Sequence, residues 1–231
     1  VTRVVAAAIE QRQLATIEYN LSSTYAGLFG RILALIEELR LPAYNAEGYK
    51  HSPTTAERRQ EHTNTALIGL LKTNLLKRFE SSVAAFRISI HRLRGYEERF
   101  ASELAAGRLL QSGAYRNLLQ LEEDGDMLGL ARALERMLEI DPEAFDQQRL
   151  RTDVDHDLSL LDRIIVLIDP LTAEQDDKLI HVRKQLTALA GQKIVIFSYF
   201  RDTARYLTEQ LQSDPDLQSF RIASLSSDVA P

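Results

Sequence analysis

Leu67, Leu71, Leu75, Phe79, Val83, Phe86, Ile90 and Leu93 recur every three or four residues, and this stripe constrains the chain more than any other feature. Apolar side chains at that spacing share one face of an α-helix. The pattern predicts a helix from about Thr55 to about Leu110, ended by the Gly107–Gly113 stretch. A helix that long draws its stability from burying the stripe, so the chain must supply further amphipathic helices to cover it.

It does. Leu28, Ile32, Leu35, Ile36 and Leu39 mark a helix that starts after Ser22 or Ser23 and runs through Leu39. Leu150, Val154, Leu158, Leu161 and Ile165 mark another over about 144–168, closed by Asp169-Pro170. Shorter helices are expected over 3–13, 127–140 and 176–190, and the two prolines and glycine of 41–53 make that segment a loop. The segment 14–19 alternates and leans toward strand. An acidic turn, Glu122, Glu123, Asp124 and Asp126 around Gly125, lies between helical stretches.

The character changes near residue 170. Ile194–Phe197 is a short β-branched run that turns at Ser198 into an amphipathic helix starting near Asp202, and Phe220–Ser224 reads as a second strand. Strand, polar turn and helix make the first half of a βαβ unit, and ligands of open α/β sheets bind at the carboxyl end of such strands. The expected fold class is therefore mainly α: long amphipathic helices followed by a truncated α/β (RecA-like) βαβ segment. Two strands do not make a stable parallel sheet, so the second region reads as part of a larger domain.

Composition closes off several classes. The chain has no cysteine, which excludes disulfides and thiolate metal sites and fits an intracellular protein. No positive-then-apolar leader is visible, and the longest apolar run, Ile164–Ile168, is too short to span a bilayer. Net charge is −5, so nucleic-acid binding has no global electrostatic support.

The distribution of charge is more informative. Between Leu71 and Leu93 stand Lys72, Lys77, Arg78, Arg87 and Arg92 against the single acid Glu80. Such a ridge can track phosphates, or it can pair with the acidic helices further along the chain. Adjacent serines are poor helix formers, so Ser81-Ser82 within this helix suggests close packing or a specific contact. Asp153, Asp155, His156 and Asp157 place oxygen and imidazole groups together, an arrangement met far more often as a solvated face than as a metal site. At the turn after Phe197, Ser198, Arg201 and Thr203 can bond an anionic backbone, while Asp202 and Thr203 also suit helix capping. No phosphate-binding glycine loop, nucleophile elbow or Ser/His/Asp arrangement occurs, so catalytic residues: none.

Three segments together resemble the Swi/Snf-type branch of superfamily-two helicases, closest to bacterial helicase-like members with a helical region between two RecA-like lobes. They are LLKRFESS at Leu75–Ser82, DKLIHVRKQL at Asp177–Leu186, and KIVIFSYFRDTARYL at Lys193–Leu207, the last similar to helicase motif four. The resemblance implies residues 1–21 as the end of the first motor lobe or a linker, 22–170 as the helical inter-lobe region, and 171–231 as the start of the second lobe. It implies ATP and Mg as cofactors of the intact protein, held outside this chain, and DNA as partner with RNA left open. It also implies the rest of the motor in cis, a cytoplasmic location near the nucleoid, and no membrane. Ser198, Arg201, Thr203, Lys77 and Arg78 become the candidate nucleic-acid contacts, with Phe200 packing the turn. The rival expectation, from another class, is a helical protein–protein interaction or regulatory module without motor activity.

Overall fold

The computed structural model describes residues 3–7, 12–16, 27–107, 109–110, 139–140 and 142–225. Its elements are strands β1 (Arg3–Ala7) and β2 (Arg12–Thr16), then helices α1 (Leu28–Glu38), α2 (Thr55–Ser81) and α3 (Val83–Ala105). Short strands β3 (Leu109–Leu110) and β4 (Glu139–Ile140) follow, and then helices α4 (Gln147–Ile168) and α5 (Asp177–Ala188), strand β5 (Ile194–Phe197) and helix α6 (Arg201–Gln212). The fold is mainly helical, as the apolar periodicities require. The acidic cluster 122–126 and all but the end of the helix expected over 127–140 lie outside the described residues; the final pair, Glu139 and Ile140, is strand and pairs antiparallel with Leu109–Leu110.

The chain divides into two compact units, one built from 1–33, 74–90 and 165–231, the other from 34–73 and 91–164. In the first unit, Phe79 stacks on Phe29 at 5.7 Å between ring centroids and meets Phe86 at 4.8 Å. A second apolar cluster joins Leu179, Val182 and Leu186 of α5 to Leu207 and Leu211 of α6, with Ile194 and Ile196 of β5 packed against it. Strand alternation sends these two isoleucines inward and leaves Val195 and Phe197 exposed.

Three expectations for this unit are corrected. The helix expected over 3–13 is strand at 3–7, because Val4 and Val5 pair antiparallel with Ile196 and Val195; long-range pairing outweighs the local helical preference of the alanines. The single helix from Thr55 is interrupted at Ser82, where the Ser82 hydroxyl accepts from the Ala84 and Ala85 amides and starts a new helix. The strand expected over 220–224 does not form: Phe220 closes a turn onto Leu217, and Arg221–Leu225 carries no ladder. The parallel βαβ arrangement is therefore not seen, and β5 pairs with β1 in the order β2-β1-β5. A cleft of about 960 Å³ separates β5 from residues 219–225.

In the second unit the acids of α4 organise a loop. Asp157 accepts from the Arg40 amide at 2.9 Å and the Leu41 amide at 2.5 Å, and Leu41 holds a left-handed conformation (φ 53°) that a leucine adopts only when its surroundings fix it. Asp153 accepts from the Tyr49 hydroxyl at 2.6 Å and pairs with Arg40. Burial, and then this bond to Asp153, pushes the Tyr49 phenol pKa up. These two carboxylates are thus committed to internal partners, and no cluster of three candidate metal ligands occurs among the described residues. Helix α3 ends before Gly107, whose φ of 75° suits the left-handed C-terminal position.

Glu97 of α3 is fully buried in this unit, and neither carboxyl oxygen has a hydrogen-bond partner among the described residues. Burial, with the Asp157 carboxylate adding to it, raises its pKa well above the ordinary 4.5. Below about pH 4.5 folded and unfolded chains both hold this proton; above it only the folded chain does, so stability falls with rising pH until the folded-state pKa is passed. Glu97→Gln carries no such proton. Its unfolding free energy relative to the parent, from urea denaturation, should climb as pH rises above about 4.5, at up to about 1.4 kcal/mol per pH unit. A stability difference independent of pH would refute this.

Candidate nucleic-acid interface

The turn from β5 into α6 lies in the first unit beside the break between α2 and α3, and the polar residues of both are shared. Arg78, in the last turn of α2, donates to the Asp202 carboxylate at 3.0 Å, with the two side chains 14% and 11% exposed. The same guanidinium lies 4.9 Å from the Phe200 ring centroid. One helical step on, the Ser81 and Thr203 hydroxyls meet at 2.9 Å in the interior. The Lys178 ammonium of α5 donates to the Ser81 carbonyl at 2.5 Å. Burial lowers the Lys178 pKa to about 8, against the attraction of Asp176 and Glu80.

Each helix end is electrostatically suited to its place. Arg78 stands at the C-terminus of α2, where backbone carbonyls gather negative potential, and Asp202 stands in the first turn of α6, where amides gather positive potential. Asp176 caps α5 by accepting from the Leu179 amide at 3.1 Å. Phe200 occupies the N-cap position of α6, so neither Asp202 nor Thr203 caps that helix, contrary to the capping expected from sequence.

The five candidate contacts separate accordingly. Thr203 is fully buried and bonded to Ser81, so the part in ligand contact expected of it gives way to an internal one. Arg78 likewise serves Asp202 and Phe200. Ser198 is half-buried and donates to the Phe200 carbonyl at 3.3 Å, shaping the turn. Arg201 is half-buried in the first turn of α6, and Lys77 is exposed on α2. Tyr199 reaches furthest out, 90% exposed, with its ring edge-on to Phe200 at 5.0 Å.

The rest of the basic ridge is also largely used within the protein. Lys72 donates to the Glu37 carbonyl at 2.8 Å. Arg87 donates to the Ile168 and Leu171 carbonyls, both at 2.7 Å, and so closes the C-terminus of α4. Of the two readings open for the ridge, internal pairing accounts for Lys72, Arg78 and Arg87, through backbone carbonyls for Lys72 and Arg87 and through the acids Asp202 for Arg78 and Asp169 for Arg87.

Sequence reasoning missed Lys178 as a participant, for which the Asp-Lys opening of α5 was the available signal. No protein-family model matches this chain, and no curated protein or solved structure matches it.

Removing one partner of a mostly buried ion pair strands the other, so Arg78→Ala and Asp202→Ala should each destabilise by about 3 kcal/mol. The double variant should cost much less than the sum, with a coupling of about 1–3 kcal/mol in chemical denaturation. Exposed Lys77→Ala should stay within about 0.5 kcal/mol of the parent. Additive costs at 78 and 202 would show that the pair does not act as a unit.

Proposed function

We propose that this chain is a segment of an ATP-driven nucleic-acid translocase or helicase of the Swi/Snf type, comprising the inter-lobe helices and the opening of the second, RecA-like lobe. One observation carries the reading. The segments that resemble the family, 75–82, 177–186 and 193–207, are far apart in sequence, yet Arg78–Asp202, Ser81–Thr203 and Lys178–Ser81 join all three in one junction. Segments that merely imitated motifs by chance would have no reason to meet through their own polar residues.

In this reading ATP and magnesium bind elsewhere in the motor, and DNA is the partner of the turn. Ser198 and Arg201 at the turn and Lys77 on α2 are the contacts to the nucleic-acid backbone, because Thr203 and Arg78 are committed to the junction. Backbone contacts release condensed counterions, so their signature is a dependence of affinity on salt. Movement of the lobes during the ATP cycle would be transmitted to the strand through the junction that fixes the turn.

Fluorescence anisotropy with labelled DNA tests this directly. The chain should bind at low salt and release as salt rises, and Arg201→Ala or Lys77→Ala should each weaken binding and lower the salt slope by about one contact. Absence of binding at low salt, or unchanged slopes in both variants, would overturn the reading.

A further inference from the structure

Strand β5 presents two chemistries. Its inward residues, Ile194 and Ile196, complete an apolar cluster, whereas Val195 and Phe197 are 46% and 58% exposed on the other side. The alternation runs on to Tyr199 at 90%. Val195, Phe197 and Tyr199 thus form a row of exposed apolar side chains on one side of the strand and turn, and such a patch is a candidate interaction surface.

The ring is backed by a chain of contacts. Tyr199 rests edge-on against Phe200 (5.0 Å, 81° between planes), Phe200 lies under the Arg78 guanidinium, and Arg78 is held by Asp202. Each layer fixes the next, so the ring is presented at little conformational cost to a ligand. The cations near it in sequence are Arg201, half-buried in the first turn of α6, and Arg205, exposed one turn further along that helix. The nearest acid in the turn, Asp202, is neutralised by Arg78.

A preorganised, exposed aromatic among cations matches one ligand chemistry well, the flat π-face and flanking phosphates of an unpaired nucleotide. We propose that Tyr199 is a stacking platform for an unpaired nucleobase, with Phe197 extending the aromatic face behind it. This deepens the reading of the chain as part of a nucleic-acid motor and rests on it. The added content is that single-stranded nucleic acid is gripped through a base, whereas duplex, whose bases are already stacked, meets only the cations.

The chain contains no tryptophan, so Tyr199→Trp installs a single indole reporter at the platform itself. Titration of this variant with oligodeoxythymidylate should quench the indole emission, and a blunt duplex of equal length should not. In anisotropy, Tyr199→Ala should lose about tenfold in affinity for the oligothymidylate with its salt slope unchanged, as expected for loss of a stacked base rather than a phosphate contact. Tyr199→Phe should bind as the parent does. Unquenched emission at saturation, or parental affinity in Tyr199→Ala, would overturn the platform while leaving the motor reading in place. Binding of duplex alone would do the same. Binding of neither nucleic acid by the parent would overturn both.

Discussion

The ion pair between Arg78 and Asp202 is the contact on which the geometry of the β5–α6 turn depends. It joins the last turn of α2 to the first turn of α6 across 124 residues of sequence. A charged pair with little exposure repays its desolvation only if its hydrogen-bonding and stacking capacity is used, and here the guanidinium both donates to Asp202 and lies over Phe200. The Ser81–Thr203 contact and the Lys178 ammonium on the Ser81 carbonyl surround the pair with further polar bonds in a site of low dielectric. The break at Ser82 is what makes this possible. An unbroken helix would tie the Ser81 carbonyl region to its own ladder, whereas the interruption lets a side chain from α5 reach it.

The second unit uses the same device. Asp153 and Asp157 project from α4 and satisfy the backbone and side chains of residues 40–49, holding Leu41 in a conformation that leucine otherwise avoids. In both places, polar groups on a regular helix fix an irregular segment that could not otherwise bury its own backbone groups. Glu97 is different: a fully buried acid whose two oxygens have no hydrogen-bond partner among the described residues.

What the sequence revealed follows the range of the interactions involved. The stripe from Leu67 to Leu93 forecast helix over the correct region, because apolar periodicity is a local property of the chain. The adjacent serines forecast a specific contact at 81–82, and both hydroxyls are used, one for Thr203 and one to start α3. The strand Ile194–Phe197 was legible from its β-branched run. Its partner was not: Val4 and Val5 sit among alanines that favour helix, and only pairing with β5 makes them strand. The expected strand at Phe220–Ser224 failed for the converse reason, since a strand needs a neighbour and residues 221–225 have none among the described residues. At the turn, residue types suggested phosphate contact for Arg78 and Thr203, but spacing cannot reveal a partner more than a hundred residues away. The structure redirects both inward and leaves Ser198, Arg201 and Lys77 as the candidates, with Tyr199 exposed beyond them.

We propose that this chain works within a nucleic-acid-dependent motor. The most direct test is the rate of ATP hydrolysis by the proposed motor, with and without DNA, in the parent and in the charge-exchanged pair Arg78→Asp with Asp202→Arg. DNA should stimulate the parent, Arg78→Asp alone should abolish the stimulation, and the exchange should restore a substantial part of it by re-forming the junction. ATP hydrolysis that ignores DNA in the parent would contradict the account.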